Sequence, residues 1–140
     1  MTVRELLSLE VGEGEVAFVV FNQYSGVALK TAGGIVVVDP TFVSPGEFQD
    51  VDAVLVTHEH FDHLDVDVVS SIQRRTGCTV ISDPESYRRL RGAVPENRLI
   101  RVEVGDEVDL DGVKVYVEES NHPPAVSPVT YVIELSLIHI

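Results

Sequence analysis

At 140 residues the chain has room for one domain, and 44% apolar content rich in Val and Ile fits a β-rich packed core better than a disordered segment. Acidic residues outnumber basic ones 23 to 10, and the net charge of −13 makes a surface that repels phosphate backbones and argues against a nucleic-acid partner. No apolar run approaches the ~20 residues of a membrane span. The first ten residues carry no signal-peptide pattern, and Cys78 is the single cysteine, so an internal disulfide is excluded and a cytoplasmic location is expected.

Taken in chain order, Thr2 and Glu5 have capping-box spacing ahead of Leu6 and Leu7, which predicts a short helix. EVAFVVF (15–21), VALKT (27–31) and IVVVD (35–39) then read as three strands of an antiparallel meander, broken at Asn22–Gly26 and at Gly33–Gly34. Asp39-Pro40 stops the third. VDAVLVT (51–57) is nearly all apolar at its end, as in a strand covered on both faces. From Leu64 to Thr76 the apolar residues take helical spacing, and Arg74, Arg75 and Gly77 form a stop signal.

CTVIS (78–82) is a further strand. PESYRRLRG (84–92) is a helix with Pro84 in its first turn and Gly92 at its end. Leu99–Val104 and Glu107–Leu110 lead to a hairpin turned at Asp111-Gly112, with Val113–Glu118 returning. A Pro-rich loop separates this from a last strand, VTYVIE (129–134). The order predicts an α/β fold with a mixed β-sheet and helices on one face.

The chemistry concentrates in T57-H58-E59-H60-F61-D62-H63-L64-D65, where a buried strand gives way to a helix. Such loops are rigidly anchored and still open to solvent. Residues two apart in an extended segment project to one side, so His58 and His60 can grip one metal ion together. A turn into the helix can aim the adjacent Asp62 and His63 at a neighbouring second position. Imidazole with carboxylate suits zinc, iron or manganese, and the lack of a nearby cysteine argues against a closed structural zinc site. The plain alternative is a helix entry with exposed polar histidines and Asp65 as its N-cap.

The HxHxDH string after a buried strand resembles the signature of the metallo-β-lactamase superfamily. Its extended form HxHxDHLD is similar to the branch containing L-ascorbate-6-phosphate lactonase and the N-acyl-phosphatidylethanolamine phospholipases D. IVVVDP and VTYVIE resemble the family's strand-closing Asp motif and the strand before its second half. The resemblance implies the N-terminal part of an αββα sandwich and two divalent metal ions, zinc first with manganese or iron possible. It implies hydrolysis of a small lactone, ester or phosphodiester by a hydroxide held at the dinuclear site.

Carried over, His58 and His60 hold the first ion, and Asp62 and His63 the second. Asp62 also orients the nucleophile or relays its proton. Asp39 supports the histidine loop, with a simple turn-forming Asp before Pro40 as the other reading. Asp65 either bonds a ligand histidine or caps the helix. The resemblance also calls for a third histidine on the first ion, for which His122 is the candidate.

Three alternatives stand beside the small-molecule hydrolase. They are a nuclease or phosphodiesterase of the superfamily, a redox di-iron protein on the same fold, and a catalytically incomplete metal-binding fragment. The resemblance further requires a bridging Asp and a last histidine that this chain does not contain. Its last residues, LSLIHI, are what CTG TCT CTT ATA CAC ATC encodes, a string resembling a transposon end used to fragment DNA. Residues 1–134 are therefore expected to form a partial metallo-β-lactamase-type domain, 135–140 to be a non-native tail, and His139 to have no function.

Overall fold

The structure is a computed structural model and describes residues 1–110, 113–120 and 125–135. Its elements run α1 (Val3–Ser8), β1 (Val16–Val20), β2 (Val27–Thr31), β3 (Gly34–Val38), β4 (Ala53–Val56), α2 (Val66–Thr76), β5 (Thr79–Ser82), α3 (Pro84–Leu90), β6 (Leu99–Arg101), β7 (Glu107–Leu110), β8 (Val113–Glu119) and β9 (Val129–Leu135). Both halves of the capping box at α1 form: Glu5 N–H donates to Thr2 Oγ1, and Thr2 N–H donates to Glu5 Oε1. The expected turn at Asp111-Gly112 lies outside the described residues.

Six strands make one mixed sheet in the order β1-β2-β3-β4-β5-β6. The β1–β2–β3 meander is antiparallel, and β3–β4–β5–β6 pair in parallel. The strands β7-β8-β9 form a second, antiparallel sheet. This separation was not readable strand by strand, because pairing partners are set by the packing of faces rather than by local pattern.

The alternation of buried residues shows how the layers stack. In β4, Val54 and Val56 belong to a core shared with Leu6, Val69, Ile72 and Leu90 of the three helices. Their neighbours Ala53 and Leu55 belong to a second core with Val113, Val115, Val117 and Val129 of the smaller sheet. β3 and β5 split in the same way, Val37 and Val80 facing the helices, Val36 and Ile81 facing the second sheet. Successive side chains of a strand point to opposite faces, so a run such as AVLV can serve two cores at once. The result is helices, mixed sheet and second sheet in three layers, with the α/β class and mixed sheet expected from the sequence.

Helix α2 starts at the Asp65 N-cap, whose Oδ1 accepts from Val68 N–H, and stops at Gly77 in the left-handed region (φ +72°). Cys78 is buried, and burial pushes its thiol up from the ordinary value.

Candidate metal centre

The parallel strand β4 delivers Thr57 and the histidine loop to one end of the sheet, and the backbone turns at once toward α2. His60 O accepts from both His63 N–H and Leu64 N–H at 2.8 Å, which fixes that turn. His58 is buried and His63 half-buried. The His58 and His63 rings lie 3.8 Å apart between centroids, and His58 and His60 lie 4.8 Å apart in an edge-on arrangement. One ligand atom each from His58, Asp62 and His63 fall within 4.8 Å of one another. The structure therefore groups His58 with Asp62 and His63, and places the His60 ring edge-on to that of His58. A donor set of two imidazoles and a carboxylate, half open to solvent, fits a divalent transition metal.

Asp39 lies at the end of β3, fully buried and in the left-handed backbone region (φ +47°). Thr57 N–H donates to its Oδ1 at 2.8 Å, and Thr57 Oγ1–H donates to its Oδ2 at 2.7 Å. His63 Nδ1 stands 2.6 Å from the same Oδ2. With Nδ1 committed there, Nε2 is the nitrogen turned toward Asp62, 3.5 Å from its Oδ2. Burial pushes the Asp39 carboxyl up, against the lowering effect of the His63 and Thr57 hydrogen bonds. For His63 burial acts downward, but the Asp39 hydrogen bond and the Asp39 and Asp62 charges outweigh it, leaving the imidazole above its ordinary value.

Asp62 is held from its backbone: its carbonyl accepts from Thr41 Oγ1–H at 3.0 Å, and Thr41 in turn accepts from Asn22 Nδ2. Asp65, in contrast, places its carboxylate on the α2 backbone as a cap. His122 lies outside the described residues. The described chain that follows is tied to the histidine loop: Val126 N–H donates to Glu59 Oε2, Val129 N–H to Thr57 O, and Tyr131 O–H to Val56 O.

Three features of the site were not read from the sequence. Glu59 points inward as a buried residue although it sits between two ligand candidates. Thr57 connects Asp39 to the loop. Phe61, 70% exposed, meets Phe42 and Tyr24 in a trio of exposed rings with centroids 5.3 to 6.3 Å apart. Phe42 holds φ +54°, a conformation a bulky residue rarely adopts, so the surrounding loop must over-determine it. Only the Phe inside the motif offered a local hint of the trio.

The Beta-lactamase superfamily domain profile matches residues 31–135. The chain belongs to this family. Among curated relatives, a UPF0173 metal-dependent hydrolase of Sulfurisphaera tokodaii is 29% identical over 108 residues, covering 71% of this chain and 48% of the relative. Another of the same description from Pyrobaculum calidifontis is 30% identical over 109 residues, with the same coverage. A probable L-ascorbate-6-phosphate lactonase of Salmonella heidelberg is 31% identical over 80 residues, 55% of this chain and 23% of that protein. The chain thus spans about half the length of the metal-dependent hydrolases it matches.

In solved structures the fold recurs in a metallo hydrolase from Ignicoccus hospitalis, with TM-score 0.67, 22% identity, and coverage of 86% of this chain and 57% of that one. It recurs in a subclass B3 metallo-β-lactamase from a soil metagenome, with TM-score 0.66, 21% identity, and coverage of 86% and 55%. CmlA, a di-iron β-hydroxylase of Streptomyces venezuelae, has TM-score 0.66 at 16% identity, with coverage of 91% and 28%. Among the described residues no helix is long and apolar enough to cross a membrane.

Proposed function

We propose that the protein is a metal-dependent hydrolase that opens a lactone, ester or phosphodiester bond of a small molecule, in the cytoplasm, with two divalent ions at the histidine loop. The observation that carries this reading is the convergence of His58, Asp62 and His63 within 4.8 Å at the end of a buried parallel strand. His60 and His122 complete the proposed donors, His58, His60 and His122 for one ion and Asp62 with His63 for the other. Zinc suits imidazole and carboxylate together, and manganese or iron are the alternatives for the same donors. When bound, such ions supply Lewis acidity and bring the pKa of a coordinated water from 15.7 down to about 7.

The chain's own residues do the positioning. Asp39 holds His63 through Nδ1, which sets the tautomer that leaves Nε2 as a ligand atom. Thr57 holds Asp39 in turn and ties that carboxylate to the strand. Asp62, half-buried and fixed through its carbonyl by Thr41, is the group in the cluster suited to orient an attacking water and to take its proton. The exposed Tyr24–Phe42–Phe61 rings beside this loop favour a substrate with an apolar group next to the bond that breaks.

The fold is shared by hydrolases and by a di-iron hydroxylase, so fold alone does not choose between hydrolysis and oxygen chemistry. Relatives described as metal-dependent hydrolases and as a lactonase support hydrolysis. The net charge of −13 supports a small molecule over a nucleic acid. In the full-length protein, His58→Ala and His60→Ala are expected to lose bound metal by elemental analysis. They are also expected to lose most hydrolysis of lactone and bis-aryl phosphate probes. Unchanged metal content in both variants rules the assignment out.

A further inference from the structure

We propose that Glu59, Ser82 and Asp83 form a separate site for a hard divalent cation, calcium or magnesium, alongside the histidine loop. The strands β4 and β5 are parallel neighbours in which Val56 stands opposite Ser82, and the loops leaving their ends bring Glu59 close enough for its charge to act on Asp83. All three residues are buried. Each carboxylate spends one oxygen on a backbone donor: Glu59 Oε2 accepts from Val126 N–H, and Asp83 Oδ2 from Ser86 N–H. The remaining atoms, Glu59 Oε1, Asp83 Oδ1 and Ser82 Oγ, are buried and make no hydrogen bond among the described residues. The same holds for Ser86 Oγ, whose hydroxyl lies near the Asp83 carboxyl.

Buried polar atoms are almost always satisfied, and buried carboxylate oxygens above all. Three such atoms, on Glu59 and on the consecutive Ser82 and Asp83 of the neighbouring strand end, mark a place where a ligand belongs. Among the described residues neither carboxylate has an ion pair. Arg89, which approaches the loop, donates to the Glu59 backbone carbonyl and pairs with Glu85 instead. Burial, added to by the Glu59 charge, pushes Asp83 up to about 6, so near neutral pH the site still carries negative charge to be balanced.

The donors are all oxygen, without imidazole or thiol, which selects calcium or magnesium over zinc. A cation there would join the β4–α2 loop to the start of α3, and through Glu59 to the segment at Val126. It would stiffen the support of the metal centre without taking part in its chemistry.

The test uses zinc-loaded protein with free zinc removed, so that the histidine cluster is already filled. Thermal unfolding is compared in calcium chloride, magnesium chloride and choline chloride at equal ionic strength. The expected result is a saturable rise of several degrees with calcium or magnesium over choline. Glu59→Gln and Asp83→Asn keep the oxygens that accept from Val126 and Ser86, and each is expected to abolish the rise while retaining zinc.

No rise in the unmodified protein, or an equal rise in both variants, overturns the site. Should a variant fail to fold, terbium luminescence of the unmodified protein decides. The chain has no Trp, and Tyr131 bonds the carbonyls of Val56 and Ile81 between the same two strands, so it is the near sensitiser. Emission saturating near one equivalent and displaced by calcium supports the site. Emission that neither saturates nor yields to calcium overturns it.

Discussion

His63 Nδ1 lies 2.6 Å from Asp39 Oδ2 across 24 positions of sequence, and the same carboxylate receives both the N–H and the hydroxyl of Thr57. One buried group therefore sets the tautomer of a proposed ligand and the position of the strand end that carries the others. Asp39→Asn keeps the shape and tolerates the left-handed backbone, but removes the charge that aligns the imidazole. Metal affinity is expected to fall about 10–100-fold, the usual cost of losing such a partner. The melting temperature of the metal-free protein should change far less than for Asp39→Ala, which strands a buried N–H and hydroxyl. Competition with a chromophoric chelator and thermal melts measure the two effects; equal affinity in Asp39→Asn removes the orienting role.

The same pair makes the metal-free protein sensitive to pH. Both groups are raised above their ordinary values, so the folded state holds a proton more tightly than the unfolded chain. Stability from the His63 imidazolium is then fully present below the unfolded value of 6.5 and is lost as pH rises through the folded value. Denaturant melts from pH 6 to 9 should show this decline, and His63→Gln should flatten it. The proton also competes with metal, so metal affinity is expected to rise over the same window.

Phe61 contributes a ring that is mostly in water, so its loss should cost little stability. Phe61→Ala is expected to raise KM for probes carrying an aryl or alkyl group by about 10-fold, the value of one modest apolar contact, with kcat almost unchanged. Acetyl-sized probes should be indifferent to the change. If KM is unmoved for both kinds of probe, the ring trio does not touch substrate.

Gly77 ends α2 at φ +72°, and a Cβ there would meet nothing within 4 Å. The cost of Gly77→Ala is therefore backbone strain alone, about 1–2 kcal/mol. Gly77→Asn should recover part of it, since Asn visits this region more readily. Chemical denaturation distinguishes the two.

Local pattern made the elements legible. The capping box at Thr2 and Glu5, the Gly77 stop and Pro84 at the start of α3 are contacts within four residues, and each stands where the sequence puts it. The histidine string was legible for the same reason, since four chemically distinctive side chains fall within six positions. Glu59 was not, because nothing local tells an exposed loop carboxylate from one turned inward to receive Val126 N–H from 67 residues away. Asp83 was not either: it caps α3, and no local pattern signals the burial that leaves its other oxygen without a hydrogen bond among the described residues.

Sequence alone determined which segments become strands and helices, that β4 is covered on both faces, and which short loop gathers side chains able to bind a metal. Those properties follow from residue chemistry over a few neighbours. The tertiary structure alone decided that β7–β9 form their own sheet, that His58 joins the Asp62–His63 pair, and that Asp39 meets His63. Such contacts join segments tens of residues apart, and only the packing of two cores against one sheet brings them within reach.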